Sequence, residues 1–174
     1  MMLARMAGST QALFGAPTQP ADIPRQLAAG PDDLDVDNWA VAELGRTLTA
    51  TQYLAAIDAY NRFRREMAGW WEDGWDVLVT PTITRPSPLV GEIVPSADAP
   101  MDAFMRSGAL LPFCVPFNVT GQPAISLPLH MSADGLPIGV QFVAAAGRED
   151  VLFRLAAQLE ADVRWSDRRP MIHA

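Results

Sequence analysis

An α/β fold, with strands of a mixed β-sheet flanked by helices, follows from three features of the sequence. Apolar residues recur at helical spacing from Thr49 to Glu72 and again from Glu149 to Asp162. Between them, Ile125, Leu127 and Leu129 alternate with Ser126 and Pro128, and Ile138, Val140 and Phe142 alternate in the same way. A 3.6-residue period, then a period of two, then 3.6 again is the pattern of helices laid on a sheet.

Each element has its own local reason. In the first helix, Tyr53, Ile57, Tyr60, Met67 and Trp70 or Trp71 share one face, while Asp58, Arg62 and Arg65 fall on the solvated side. Thr49 or Thr51 caps the first turn, Asp58 and Arg62 form an i,i+4 pair, and Gly74 stops the helix. Trp75 to Thr80 is a short strand, apolar on both sides and expected to be buried on both faces. Pro81 ends it and opens an irregular proline-rich loop that reaches Pro100. The alternating segments form two neighbouring strands, a hairpin whose loop from Ser132 to Pro137 turns at Asp134-Gly135. Pro128 has no N–H to give a ladder and is expected at a bulge or a locally unpaired position. In the last helix, Glu149 and Asp150 suit the positive end of the dipole, and Val151, Leu152, Leu155, Ala156 and Leu159 form the buried stripe. Thr18 to Asp37, rich in Pro, Gly and Asp, reads as a connecting loop with at most a short helix over Ile23–Ala29. Met1–Ala12 reads as the tail of a helix and lacks the apolar core and cleavage site of a signal peptide.

Composition excludes several classes of function. The 174 residues are 49% hydrophobic and 19% charged, enough to bury a core and too apolar for disorder. The net charge of −7 argues against nucleic-acid binding, which needs clustered positive charge. No apolar run reaches the roughly 18 residues of a membrane span. The single cysteine, Cys114, forms no internal disulfide, and a cytoplasmic location is expected. One cysteine with His130 and His173 is too small a set for a structural zinc site.

Three segments together resemble the amidase-signature family. They are Trp75-Asp76-Val77-Leu78-Val79-Thr80-Pro81-Thr82; Pro116-Phe117-Asn118-Val119-Thr120-Gly121-Gln122-Pro123-Ala124-Ile125-Ser126-Leu127-Pro128; and Asp134-Gly135-Leu136-Pro137-Ile138-Gly139-Val140-Gln141-Phe142-Val143. Their order and spacing are similar to the family's strand ending in Thr-Pro-Thr, its Asn-x-x-Gly-x-Pro-Ala segment and its following strand. The closing Trp165-Ser166-Asp167-Arg168-Arg169-Pro170 resembles the ends of members acting on cyclic amides and nylon oligomers. The resemblance covers Asp37 onward, so it implies a connecting segment over 1–36. Residues 37–174 would then be the matching, carboxy-terminal portion of a single amidase domain. Read without the family, Gly121 and Pro123 punctuate a tight entry to a strand, and Asn118 is suited to holding that turn.

The resemblance implies hydrolysis of a carboxylic amide through an acyl-serine intermediate, with no metal or organic cofactor. It implies a nucleophilic serine, a bridging serine and a neutral lysine. This chain has no lysine and no Ser-Ser-Gly-Gly run, and arginine does not deprotonate to act as the base. The catalytic set is therefore expected outside these residues, the isolated chain is expected to be inactive, and no catalytic residue is assigned. Ser126 and His130 stand four residues apart, about 13 Å along a strand, and make no triad; Ser126 reads as a small core residue and His130 as a loop residue. The substrate-binding candidates are Phe113, Phe117, Gln141 and Phe142. For Phe142, core packing beside Ile138 and Val140 competes. Gln141 points the other way and has an amide to offer, although a solvated or sheet-capping role fits it equally. Cys114 reads as an inert thiol and the Trp70-Trp71-Trp75 cluster as core. Relatives acting on a glutamine side chain carry an acidic residue near the position of Leu111. Leucine there, beside Leu110, Phe113 and Phe117, implies a neutral or hydrophobic amide and no transfer RNA. The expected partners are the small amide and the amino-terminal part of the domain, with no nucleic acid and no membrane. Homo-oligomers are expected of the chain alone. The alternative is a non-catalytic binding or assembly module.

Overall fold

The computed structural model describes residues 30–168. The expected helix over Ile23–Ala29 and the helix tail over Met1–Ala12 lie outside them. The described residues fall into two compact units. One takes them from Met1–Arg62 and Pro88–Gly108, the other from Phe63–Ser87 and Ala109–Ala174.

In the first unit, α1 (Val36–Arg46) lies where no helix was expected. Its signals are short-range: Asp37 in the first turn, Arg46 in the last, and Val41, Ala42 and Gly45 buried along one side. Arg46 pairs with Glu43 and covers the Trp39 ring at 4.7 Å. Helix α2 (Ala50–Glu72), which belongs to this unit as far as Arg62 and to the other from Phe63, follows the periodicity, with Tyr60 buried and Asp58 paired with Arg62 on the exposed side. Thr49 caps it in a reciprocal box. The Gln52 N–H donates to Thr49 Oγ1 at 3.2 Å, and the Thr49 N–H donates to Gln52 Oε1 at 2.8 Å. The proline-rich loop holds no regular element up to α3 (Asp102–Leu110), a helix the proline signals concealed.

The second unit is built on a three-stranded antiparallel sheet in the order β1 (Leu78–Pro81), β3 (Pro137–Val143), β2 (Ala124–Met131). Every described pair is antiparallel, so β1 and β2 run parallel to each other on either side of β3. Leu127 pairs with Val140 and His130 with Ile138, leaving Pro128 and Leu129 opposite Gly139 alone. That is a bulge at the residue with no N–H to donate. The hairpin turns at Gly135, φ 79°, whose N–H donates to Ser132 O at 3.0 Å.

Helix α4 (Val115–Thr120) precedes β2 and was not expected; Pro116 sits in its first turn. Gly121, φ 74°, closes it by donating its N–H to Phe117 O at 2.8 Å. Helix α5 (Glu149–Val163) lays Leu152, Leu155, Ala156 and Leu159 on the sheet face formed by Ile125, Leu127, Val140, Phe142 and Ala144.

The first strand corrects two expectations. It begins at Leu78, and Trp75 lies outside it, 58% exposed and stacked on Trp70 at 5.7 Å. It is also not buried on both faces: its burial alternates, and Val79 is 54% exposed. The reason is its position. Among the described residues, β1 is an edge with only β3 beside it, and α5 packs toward β2 on the far side.

Candidate functional site

Strand alternation sends Thr80, Ser126 and Gln141 to the sheet face opposite α5, where they form one row across the three strands. Gln141, 5% exposed, donates from Nε2 to Thr80 Oγ1 at 3.0 Å and to Phe113 O at 2.9 Å. Cys114 Sγ donates to Thr82 O at 3.1 Å. Together these bonds pin the segment leading into α4 against the sheet.

The next row is organised by a missing side chain. Thr82 Oγ1 and Ser126 Oγ share a 2.6 Å hydrogen bond, and a Cβ on Gly139 would stand 2.7 Å from each oxygen. The Thr82 N–H donates to Gly139 O at 3.2 Å. Thr84 continues the edge, donating from N–H and Oγ1 to Leu110 O and Ala109 O, each at 3.2 Å. Beside Gly139 opens a cavity of about 280 Å³, walled by Pro81 and Ile83 to Ser87 on one side and by Pro137, Ile138 and Gly139 on the other. It is a mostly apolar recess at the mouth of the proline-rich loop, a shape suited to an aliphatic group.

The four sequence candidates separate. Gln141 meets the backbone of Phe113, so these two are brought together. Phe117, on α4, is 6% exposed. Phe142, 7% exposed, lies on the opposite sheet face within the cluster of Leu127, Ala144 and Leu152. None of the four lines the 280 Å³ cavity. Leu111 is 40% exposed. Ser126 is exposed and bonded to Thr82 where a small core residue was expected, and His130 lies within β2, not in a loop. Sequence reasoning missed the Thr82–Ser126–Gly139 constellation. Its signal was present in the alternation of Thr80 with Thr82 and of Gly139 with Gln141.

Among the described residues, the hydrogen-bond partner of the Ser126 hydroxyl is the Thr82 hydroxyl, and no carboxylate, imidazole or amine is bonded to either.

A sheet carrying Thr-Pro-Thr on one edge, a Gly-x-Pro entry into its other edge and a covering carboxy-terminal helix defines a class, and comparison with known proteins agrees. The sequence model of the family described as Amidase matches residues 33–153, and the chain belongs to that family. The chain is similar to a 6-aminohexanoate-cyclic-dimer hydrolase of Pseudomonas sp. (strain NK87), 44% identical over 146 residues, which cover 81% of this chain and 30% of that protein. It is also similar to the 6-aminohexanoate-cyclic-dimer hydrolase of Paenarthrobacter ureafaciens, 45% identical over 147 residues with the same coverage. A solved structure of 6-aminohexanoate cyclic dimer hydrolase superposes with a TM-score of 0.78 at 35% identity, covering 98% of this chain and 42% of that one. The chain thus spans about a third of the length of the curated relatives it matches. Among the described residues, no helix is long and apolar enough to cross a membrane.

Proposed function

We propose that this chain forms the carboxy-terminal part of an amidase hydrolysing a neutral or hydrophobic aliphatic amide, cyclic amides included, through an acyl-serine intermediate. The observation that carries the reading is the 44–45% identity to hydrolases of 6-aminohexanoate cyclic dimer across 81% of the chain. In this reading the serine–serine–lysine set comes from residues outside these 174. The chain contributes sheet strands and one wall of the substrate pocket, with Phe113 and Phe117 toward the acyl group. Gln141 holds that wall by its bond to Phe113 O, and Phe142 anchors the sheet beneath it. The leucine at 111 supports a substrate without a free ammonium group, since no carboxylate there would pair with one. The amino-terminal part of the domain is the partner, a cytoplasmic location belongs to the same reading, and the isolated chain self-associates through exposed apolar residues such as Val79.

A second reading, a non-catalytic binding or assembly module, is favoured by one feature, the absence of lysine. One experiment separates them. The chain replaces the corresponding carboxy-terminal part of a 6-aminohexanoate-cyclic-dimer hydrolase, and the chimera is assayed on linear and cyclic aliphatic amides. Activity in the chimera, with none above buffer rate in the chain alone, supports the amidase reading. A folded, inactive chimera supports the module. Turnover by the chain alone that disappears in Ser126→Ala overturns the assignment of the catalytic set to residues outside it.

A further inference from the structure

We infer that a second cavity, at the carboxy-terminal end of α2, binds the carboxylate of a short aliphatic acid. The inference stands on the groups that line the cavity and is independent of the reaction proposed above. The cavity has a volume of about 130 Å³ and lies between α2, the end of α4 and the loop after β3. At about 30 Å³ per water molecule, it has room for about four waters or an acid of a few heavy atoms.

The groups facing it are biased toward donation. Arg64 is the one charged residue of the lining, and it takes part in no ion pair among the described residues. Its guanidinium lies beside the turn that closes α4: Nη2 stands 4.0 Å from the place a Cβ on Gly121 would take, an ordinary contact distance. Gln122 has its carbonyl oxygen occupied by the Thr120 hydroxyl at 2.9 Å, so its amide has N–H groups to offer. The Trp71 indole nitrogen is buried and has no acceptor among the described residues. After Ala144, whose N–H donates to Pro123 O, the Ala145 and Ala146 N–H groups find no backbone acceptor among them either.

A set of donors around one guanidinium calls for an anion with several lone pairs. A planar carboxylate matches the fork of arginine. Ala68, Ala145, Ala146 and the Trp71 ring supply apolar wall, which selects an acid with a short hydrocarbon stem over a fully hydrated inorganic anion.

The test uses the 174-residue chain labelled with 5-fluorotryptophan and followed by fluorine NMR during titration with propionate. Of the resonances from the five tryptophans, the one missing in Trp71→Phe is expected to shift saturably. Neutral propionamide and sulfate at matched ionic strength should move it little. Arg64→Gln should raise the half-saturation concentration roughly tenfold or more, the effect of one lost charge-assisted hydrogen bond, and Arg64→Lys should fall between. Arg64 is exposed, so an unchanged far-UV spectrum of the variant separates lost binding from lost fold. No saturable shift, a propionamide response equal to that of propionate, or an Arg64→Gln titration like wild type would each overturn the inference.

Discussion

Replacing Gly139 with alanine tests the packing at the centre of the candidate site. The new Cβ would stand 2.7 Å from Thr82 Oγ1 and from Ser126 Oγ, about 0.7 Å inside the ordinary contact distance of 3.4 Å. Thr82 is held by its N–H bond to Gly139 O and by the bond its carbonyl accepts from Cys114. Ser126, on the exposed edge, therefore gives way, and the 2.6 Å hydroxyl pair breaks. Overpacking costs about 1–3 kcal/mol and the lost bond about 1. Removing a glycine from a strand returns about 0.5–1 kcal/mol. The net expectation is a loss of about 2 kcal/mol, or about 1 M in urea midpoint for a typical m-value, read by tryptophan fluorescence at fixed protein concentration. In a Thr82→Ala/Ser126→Ala background both oxygens are gone and only the closer-than-usual approach to the Cβ of residue 82, at 3.2 Å, remains, so the same substitution should cost clearly less. The reasoning is refuted by a Gly139→Ala midpoint equal to wild type, or by an undiminished penalty in that background.

Four other outcomes are expected. Phe142→Ala should cost about 3–5 kcal/mol in thermal denaturation, and Phe153→Ala, at a residue 69% exposed, less than about 0.5. Thr49→Ala should cost about 1 kcal/mol of stability by removing the cap of α2, and Thr49→Ser should restore it. Gln141→Leu removes both bonds to Thr80 and Phe113, so Cys114 should react faster with a thiol reagent than in wild type; an unchanged rate would mean that the segment is held by other contacts. The hydrogen bond from Arg148, and then its charge and that of Arg154, hold the Asp150 carboxyl below its ordinary 3.8. That stabilisation is present above the ordinary value and is lost as pH falls through the lowered one. Asp150→Asn should therefore flatten the acid limb of a stability–pH curve, and an identical limb would rule the pair out as a contributor.

Much of the fold was legible because it rests on local rules. The Tyr53–Ile57–Tyr60 face and the Asp58–Arg62 pair follow from helical spacing alone. Pro128 has no N–H, so the ladder bulges there whatever surrounds it. Gly121 and Gly135 take positive φ, which most side chains resist. Alternation also fixed that Gln141 faces away from Phe142. The helices α1, α3 and α4 were not legible, since each is short and starts among Asp or Pro residues that equally signal loops.

What alternation leaves open is which side chain waits across the strand. Gln141 meets Thr80 from 61 positions away and Phe113 from 28; Ser126 meets Thr82 from 44. Those meetings depend on β3 entering between β1 and β2, a long-range choice that no window of sequence contains. The same choice engages the Gln141 amide with Thr80 Oγ1 and Phe113 O, the sheet-capping role that stood beside a substrate contact as an equal expectation. It left Val79 half exposed on an edge where a fully buried strand was expected. The sequence by itself determined the direction of each side chain from its own backbone. Only the tertiary structure decided what that side chain touches, because closing loops of tens of residues is settled by the packing of the whole sheet.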